Sequence, residues 1–307
     1  MDLTVKEKNY LIFELSKLTT KDSRPYLRLV LSDDSGTLIN GIMFDSNKLT
    51  FDPKKGDLVA VSATYQQYNN QSQLKVNEMY FVSAMGAEAF LPKSKQDPKE
   101  MAESLKQTTQ KHVTDEWLSK LIETFYNDTA TWERFTYMPA AKSMHHAYIH
   151  GLLEHTLGAV RIAAQVCPLY PKVNKDLVIA GALFHDIGKV KELDTSAGFE
   201  YSDEGKLLGH ITQGYTMLVD YISTIEGFPV ALRQHLLHMI LSHHGSLEFG
   251  SPQVPKSSEA ILLNFVDDMD AKLNAVSSIL GREDIPEGGW SSYDKLLERQ
   301  LYMPPKY

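Results

Sequence analysis

The 307-residue chain has a single cysteine, Cys167, so it cannot form an internal disulfide bond, which agrees with a reducing compartment. Long apolar runs are also missing. The run at residues 177–184 is far shorter than the roughly 20 residues that cross a bilayer. Residues 1–7 mix charges and contain no apolar stretch of the kind that a signal peptide needs. We therefore expect a cytoplasmic protein with no membrane association.

The chain has no surplus of positive charge. Lysine and arginine number 31 against 39 aspartate and glutamate residues, which gives a formal net charge of −8. Such a chain does not attract polyanions in general, so a polynucleotide would have to be bound by local patches, ring stacking and metal ions. Bound divalent cations would supply the positive charge that the sequence lacks. Neither an internal repeat nor a low-complexity tract is present, and the length fits one large or two ordinary globular domains.

Over residues 10–82 the side chains alternate with the period of two that is typical of β-strands. Leu27 and Leu31 belong to one face of such a strand, and the Asp-Asp-Ser-Gly sequence at residues 33–36 predicts a hairpin turn after it. Five short strands joined in this way predict a small closed β-barrel over residues 1–90. The OB-fold is the commonest barrel that fits, and an SH3-like barrel is the alternative.

The segment at residues 91–114 is polar and rich in lysine, and it is predicted to be a linker that becomes helical near Lys99. Residues 115–307 are predicted to form an all-α domain. Apolar residues recur there at spacings of three and four, beginning with Trp117, Leu118, Leu121, Ile122 and Phe125. The predicted fold class is therefore a β-barrel followed by a helical bundle.

Ten of the eleven histidines lie between His145 and His244, and acidic residues accompany them. Imidazole nitrogens with a few carboxylates are the ligands that first-row divalent ions prefer. A histidine or carboxylate on an apolar helix face is costly to bury unless it has a partner. The predicted metal ligands are His155, His185, Asp186, His210, His243, His244 and Asp267.

Taken alone, the His185-Asp186 pair would most simply be a core histidine beside a helix-capping aspartate. The ordered series of helices, each with one ligand, favours a metal site instead. The imidazole of His185 and the carboxylate of Asp186 could both reach one cation, and the carboxylate could bridge two divalent ions, of which one would lower the pKa of a bound water. Lys189 lies one helical turn after His185 and would stabilise charge in the transition state. Asp270 replaces Asp267 if the helix register differs by one turn.

A nucleic-acid surface is predicted on the outer side of the barrel, because bases stack on aromatic rings and basic side chains follow the phosphate backbone. Aromatic residues in strands are more often packing residues. Tyr26 and Arg28 nevertheless alternate away from the leucine side. In the helical part, His145 and His146 would either touch the phosphate or a base, or cap a helix. The predicted nucleic-acid contacts are Tyr26, Arg28, Phe44, Tyr68, Lys75 and His146.

The order of the predicted ligands resembles a known motif. His155, His185-Asp186 and Asp267 match the H…HD…D pattern of the HD-domain metal-dependent phosphohydrolases. His210 with the paired histidines at 243–244 resembles the version of that site with two metals. The Gly-Tyr-Pro sequence of cyclic-dinucleotide HD enzymes is absent after the pair, where residues 246–249 read Ser-Leu-Glu-Phe.

A second resemblance is more specific and covers nearly the whole chain. The Met-His-His-Ala-Tyr sequence at 144–148 and the Gly-Leu-Leu-Glu-His-Thr sequence at 151–156, preceded by an OB-type barrel, are similar to the YhaM-type 3′→5′ exoribonucleases of Gram-positive bacteria. This resemblance implies a manganese-dependent exonuclease that trims single-stranded RNA to nucleoside monophosphates, with single-stranded DNA as a further substrate.

Two other functions stay open from the sequence. An HD phosphohydrolase could act on a small nucleotide, with the barrel as a regulatory or oligomerisation module. Alternatively, a nucleic-acid-binding protein could use its helical part to hold a structural metal. Seven candidate ligands argue against the latter, because structural zinc sites are usually closed with four. The sequence leaves the natural metal, the preference for RNA or DNA and the formation of a homo-oligomer open.

Overall fold

The computed structural model describes most of the chain, and the chain divides into two compact units. The described residues are 4–68, 71–84, 86–143, 145–196, 198–282, 285–295 and 297–306. The first unit contains residues 1–93, 194–200 and 279–307, and the second contains residues 94–193 and 201–278. Among the helices of the described ranges, none combines the length and apolar character that crossing a bilayer requires.

The first unit contains a closed five-stranded barrel. Its strands are β1 (Thr4–Thr19), β2 (Pro25–Ser32), β3 (Leu38–Phe44), β4 (Leu58–Tyr68) and β5 (Gln71–Ser83). The barrel closes because β1 pairs with β2 along one edge and with β4 along the other, while a short parallel pairing joins β3 to β5. A closed barrel of five strands in the order β1-β2-β3-β5-β4 confirms the OB-type prediction.

The alternation of side chains in β2 produces the barrel interior. Leu27, Leu29 and Leu31 are at most 2% exposed, so every second residue of the strand contributes to the core. The turn between β2 and β3 is held by the Asp33 carboxylate, which accepts hydrogen bonds from the backbone N–H groups of Ser35 and Thr37. Aspartate stabilises turns in this way, and the predicted hairpin is confirmed.

The second unit is predominantly α-helical. Its helices are α1 (Pro98–His112), α2 (Glu116–Asn127), α3 (Thr129–Tyr137), α4 (Gly151–Val166), α5 (Lys175–Phe184), α6 (Lys189–Glu192), α7 (Asp203–Ser223), α8 (Val230–Ser242) and α9 (Ser258–Arg282), the last of which runs on into the first unit. Two short strands, β6 (Leu193–Asp194) and β7 (Glu200–Tyr201), pair with each other. The prediction of a helical domain after the barrel is confirmed, but not as an all-α stretch to residue 307: residues 285–295 and 297–306 form no helix, and residues 194–200 and 279–307 belong to the first unit.

Helix α5 lies in the centre of the helical core, and this position determines where the His185-Asp186 pair lies. All residues from Leu177 to Phe184 are buried, which is expected for a helix that is apolar on every side. The side chain of Asn174 caps its N-terminus by accepting a hydrogen bond from the N–H of Leu177. The pair that follows α5 is therefore delivered into the interior of the unit.

Residues 98–112 of the predicted linker form helix α1, and residues 94–112 belong to the helical unit. The Asp97 carboxylate caps α1 by accepting hydrogen bonds from the N–H groups of Lys99 and Glu100, and Pro98 fits the first helical position. Met101 and Leu105 are buried in the core of the unit. The predicted start of a helix near Lys99 is therefore correct to within one residue. The segment was nevertheless assigned to a linker rather than to the helical unit, because its high content of lysine masked the sparse apolar face.

Candidate metal centre

The seven predicted metal ligands come together inside the helical unit. Helices α4, α7 and α9 supply one ligand each, and the ends of α5 and α8 supply an adjacent pair each. The residues are His155, His210, Asp267, the pair His185-Asp186 and the pair His243-His244. Several of them are fully buried, including His155, His185 and His243. Burial of so many polar groups in one place requires a common partner.

One oxygen of Asp186 belongs to a first group of ligand atoms. The Nε2 atoms of His155 and His185 are 3.0 Å apart, and Asp186 Oδ2 lies 3.5 and 3.4 Å from them. Asp267 Oδ1 lies 3.2 Å from His155 Nε2 and 3.7 Å from His185 Nε2. Ligand atoms bound at about 2.1 Å to one ion are separated by roughly 3–3.5 Å, so these spacings fit a shared cation.

The other oxygen of Asp186 faces a second group. Asp186 Oδ1 lies 3.4 Å from His210 Nε2 and 3.7 Å from His243 Nε2. These three atoms are buried, and none has a hydrogen-bond partner among the described residues. His244 joins His210 and His243 in a group whose ligand atoms all lie within 4.8 Å of one another. Orphaned buried polar atoms that converge on one point are what an absent cation would leave.

The orientation of the histidine rings also fits metal binding. Each of the five rings has its Nδ1 atom occupied by a backbone carbonyl or a carboxylate, both of which only accept hydrogen bonds. Nδ1 therefore carries the proton of the neutral ring, and Nε2 presents a lone pair to the centre. The five bonds are His155 to Asp270 (2.7 Å), His185 to Ala182 (2.9 Å), His210 to Glu192 (3.0 Å), His243 to Ile240 (2.7 Å) and His244 to Phe249 (2.9 Å).

A break in α7 places His210. Gly209 has φ +69° and ψ 159°, a conformation that interrupts the helix just before the histidine. Glu192 Oε1 accepts hydrogen bonds from both the backbone N–H and the Nδ1 of His210, at 2.9 and 3.0 Å. Burial would raise the pKa of Glu192, but the bonds from His210 hold it below its usual value. Neither the break nor the role of Glu192 was predicted from the sequence.

Lys189 is buried beside Asp186 and forms an ion pair with it. The distance from Lys189 Nζ to Asp186 Oδ2 is 2.6 Å. Burial alone would lower the pKa of Lys189, but the negative charge of Asp186 raises it above the ordinary value, so the ammonium stays charged. In return, Lys189 and His185 hold the pKa of Asp186 well below its usual range, although burial opposes them. The predicted catalytic lysine thus lies beside the carboxylate that is predicted to bridge two ions.

Asp270 lies behind the centre and orients His155. Its Oδ2 atom is 2.7 Å from His155 Nδ1 and 2.9 Å from His146 Nε2, and these bonds outweigh burial to lower the pKa of Asp270 to about 2. Helix α4 can lie this close to Asp270 on α9 only because residue 158 is glycine. A Cβ at that position would lie 2.0 Å from Asp270 Oδ1. The sequence left Asp270 open as an alternative ligand to Asp267. In the structure Asp270 instead orients the ligand His155 from behind.

His146 is placed differently from the sequence interpretation, which had it contact nucleic acid. The ring is 3% exposed, and its Nδ1 atom lies 2.9 Å from the Tyr148 hydroxyl while its Nε2 atom contacts Asp270. Asn274 accepts a hydrogen bond from the His146 backbone N–H. With both ring nitrogens engaged, His146 supports Asp270 and has no ring nitrogen left to bind a substrate. Nothing in the sequence pointed to this role, because His146 and Asp270 are 124 positions apart in the chain.

His145 lies at the edge of the centre, with its ring centroid 5.6 Å from that of His155. Burial and the positive charge of Lys189 lower the pKa of His145 to about 3. The side chain is therefore a neutral imidazole beside the first group of ligands. The structure favours neither of the two roles that the sequence left open for it.

Metal binding should release protons. Burial would lower the pKa of His155, but Asp267 and Asp270 raise it to about 10 when no cation is present. A cation must displace this proton, so its apparent affinity should strengthen as pH rises towards 10. We expect titration calorimetry at pH 7.5 in buffers of different ionisation enthalpy to detect release of about one proton from this site. Equal heats in all buffers would contradict this placement of His155.

On the barrel, four of the predicted nucleic-acid contacts lie side by side. Tyr26 pairs with Phe44 across β2 and β3, and their ring centroids are 5.9 Å apart. In the next outward-facing row, Arg28 pairs with Ile42, which pairs with Lys75 of β5. Directly paired residues point to the same side of a sheet. We call these five residues the barrel face.

The barrel face points outwards, opposite the buried leucines of β2. Phe44 is 47% exposed, Arg28 and Lys75 are exposed, and Tyr26 is half-buried. The side chain of Tyr68 lies outside the described residues, so its predicted part in this surface stays a prediction. The face therefore offers two neighbouring rings and two cationic side chains, which is the chemistry that a single strand of nucleic acid requires.

Comparisons with known proteins agree with this site. The family described as "HD domain" matches residues 152–272, a range that contains all seven predicted ligands. Fold and site together define a metal-dependent hydrolase of the HD class, with histidine and aspartate groups that can hold divalent metal. The motif that pointed to this class in the sequence is thereby confirmed.

Whole-chain relatives identify the family. The chain is 33% identical to the 3′-5′ exoribonuclease YhaM of Oceanobacillus iheyensis, over 97% of this chain and 93% of the relative. It is 30% identical to the YhaM of Bacillus subtilis strain 168, over 97% and 94% respectively. The YhaM of Listeria monocytogenes serotype 4b is 33% identical, over 86% and 84%. The chain belongs to the YhaM 3′-5′ exoribonuclease family.

Among solved structures, the second OB-fold domain of replication protein A from Methanococcus maripaludis matches 27% of this chain and 85% of its own length. The identity is 21% and the TM-score is 0.21.

Proposed function

We propose that the protein is a 3′→5′ exonuclease that hydrolyses single-stranded RNA to nucleoside monophosphates with two divalent ions. The observation that carries the proposal is the position of Asp186, whose two carboxylate oxygens face two separate groups of imidazole nitrogens. A carboxylate that bridges two ions is the usual core of sites that cleave phosphodiesters. The substrate and direction are supported by the names of the family relatives.

Two ions held there would supply Lewis acidity, which lowers the pKa of a water and offsets negative charge on the phosphate. The chain's own residues prepare this site. Asp270 and Glu192 fix the rings of His155 and His210 so that their Nε2 lone pairs face inwards. Lys189 keeps a positive charge within 2.6 Å of Asp186, where it can stabilise negative charge that develops during cleavage.

We propose Mn²⁺ as the natural ion. The proposal of Mn²⁺ follows the resemblance to the YhaM-type exoribonucleases, and the mixed set of imidazole nitrogens and carboxylate oxygens agrees with a first-row divalent ion rather than with the all-oxygen sites of Ca²⁺. Single-stranded DNA should be a further substrate, because ring stacking and phosphate binding do not require the 2′-hydroxyl group that separates RNA from DNA.

The proposal is tested with Mn²⁺-loaded protein and two copies of one single-stranded RNA, labelled at the 5′ or the 3′ end. The 5′-labelled RNA should shorten through a ladder of products, whereas the 3′ label should appear at once as a mononucleotide. A 5′ label released first would exclude the proposed direction. Turnover of free nucleotides with intact RNA would favour the small-nucleotide phosphohydrolase.

The barrel face should contribute to binding of long substrates rather than to the chemical step. We expect Tyr26→Ala combined with Arg28→Ala to raise the apparent KM for a long RNA, because one lost base stack costs roughly 1–3 kcal/mol. The kcat should change much less. Steady-state kinetics on a 20-nucleotide RNA and on a dinucleotide would measure both effects.

The matched control is Tyr80→Ala, which removes an aromatic side chain from β5 that is 50% exposed and outside the barrel face. Its KM for the long RNA should equal that of the unaltered protein. An unchanged KM in the Tyr26 and Arg28 variant would remove the barrel face from the substrate path.

A further inference from the structure

The loop that follows the paired histidines carries two exposed apolar side chains. Residues 245–251, here called the paired-histidine loop, contain a short 3₁₀-helix at Leu247–Phe249. Leu247 is 65% exposed and Phe249 is 72% exposed. Single exposed apolar residues are common on protein surfaces, so exposure alone assigns no role to either of them. The connection of Phe249 to the metal centre distinguishes it.

The backbone of Phe249 is hydrogen-bonded to the predicted metal ligand His244. Its backbone carbonyl accepts a hydrogen bond from His244 Nδ1 at 2.9 Å. The His244 ring lies 4.4 Å from that of His243 and 5.1 Å from that of His210, measured between centroids. The backbone of Phe249 therefore lies next to a member of the second group of ligands, and the exposed phenyl ring starts from that backbone. A phosphate at the centre would bring the sugar and base of its nucleotide into this neighbourhood.

The loop is built to hold a fixed conformation. Gly245 and Gly250 have φ of +77° and +82°, which glycine adopts without strain. A Cβ on Gly245 would lie 2.6 Å from the amide of Asn264, whose Nδ2 atom in turn donates to the carbonyl of His243. Four backbone bonds of 2.9–3.3 Å close the loop, from the N–H groups of Ser246, Phe249, Gly250 and Ser251 to the carbonyls of His244, Ser246, Leu247 and Ser246.

We propose that the Phe249 ring is the stacking surface for the base of the substrate's 3′-terminal nucleotide. A phenyl ring has no hydrogen-bonding group, and every base has a π-face, so this contact would accept all four bases. A fixed loop keeps the entropic cost of the contact low. The inference rests on the proposed function, since a terminal base reaches Phe249 only if its phosphate is cleaved at the centre.

The test compares two 5′-labelled RNA oligomers that differ only in the last residue, which is either a normal nucleotide or an abasic one. The rate of the first cleavage is measured under single-turnover conditions with Mn²⁺-loaded protein. Phe249→Ala should slow removal of the normal nucleotide by roughly 5- to 150-fold, the range that loss of one base stack of about 1–3 kcal/mol produces. Removal of the abasic residue should be unchanged. Phe249→Trp should retain the rate on the normal end.

Leu247→Ala is the matched control, because it shortens a similarly exposed side chain in the same 3₁₀-helix without removing a ring. Its rates on both oligomers should equal those of the unaltered protein. Bound Mn²⁺ should also be unchanged in Phe249→Ala, because the bond to His244 comes from the backbone. The proposal is overturned if Phe249→Ala slows both oligomers equally or neither. If the unaltered protein cleaves neither oligomer with Mn²⁺ present, the proposed function itself fails.

Discussion

Asp186→Ala should lower the rate of RNA hydrolysis on the order of a thousandfold or more, even at saturating Mn²⁺. Both carboxylate oxygens face ligand groups, so one substitution removes a ligand from each of the two proposed ions. The measurement is single-turnover cleavage of a 5′-labelled RNA across a range of Mn²⁺ concentrations. Turnover near that of the unaltered protein would contradict the bridging role.

The variant also leaves Lys189 buried without its ion-pair partner, and breaking a buried pair costs about 3–5 kcal/mol of folding stability. A double variant, Asp186→Ala with Lys189→Met, separates this effect from catalysis. Removal of the unpaired charge should restore most of the thermal stability lost by the single variant. The double variant reports folding only, because Lys189 is itself placed in the catalytic machinery. Loss of RNA hydrolysis in an Asp186→Ala protein that is still folded at the assay temperature, as judged by circular dichroism, therefore reports the loss of the carboxylate. Loss of the helical spectrum at that temperature would mean that the single variant had reported only misfolding.

Asp270→Asn should weaken Mn²⁺ binding by roughly 10- to 100-fold, the usual cost of losing the carboxylate that orients a ligand histidine. Asp270 accepts from His155 Nδ1, whereas an asparagine can turn its NH₂ group towards that nitrogen and favour the opposite tautomer. His155 Nε2 would then carry a hydrogen in place of its lone pair. The defect should therefore shrink as the Mn²⁺ concentration rises.

The control for this variant is Asp268→Asn on the same helix. Asp268 pairs with Lys272 at 2.7 Å on the surface, where such pairs contribute little to stability. Its Mn²⁺ dependence should match that of the unaltered protein. A Mn²⁺ dependence of Asp270→Asn that equals that of Asp268→Asn would exclude a role for Asp270 in orienting His155.

The sequence was sufficient to predict the elements and the ligand types, because both depend on local patterns. Alternation in β2 predicted a strand with one buried face, and the buried leucines of that strand agree. The predicted ligands were recognisable because histidine and aspartate on apolar helices such as α4 and α9 require a partner. Their chemistry and order could be read without knowing the distances between them.

Contacts between distant residues could not be predicted in this way. Asp270 and His146 are 124 positions apart, and their bond becomes visible only when α9 lies beside the segment before α4. Glu192 reaches His210 because Gly209 interrupts a helix that otherwise has a continuous pattern. The supporting roles of Asp270 and Glu192 were therefore not predicted, although residue type and order were enough to propose seven ligands that the fold brings together.

Helix α1 shows a second limit of reading the sequence. Only a narrow line of side chains, among them Met101 and Leu105, is buried, and lysine and glutamate surround it. A helix with a narrow apolar face resembles a polar linker in composition, although the Asp97 cap and Pro98 are good signals for its start. Helix α1 belongs to the helical unit because its apolar side packs against α4 and α5. The sequence of α1 alone does not show which helices it packs against.

The central claim is that Asp186 bridges two ions, and anomalous diffraction from crystals soaked in Mn²⁺ tests it most directly. Data collected near the manganese absorption edge should show two peaks, one on each side of the Asp186 carboxylate. One peak should lie among His155, His185 and Asp267, and the other among His210, His243 and His244. A single peak, or peaks that leave Asp186 unbound, would contradict the account.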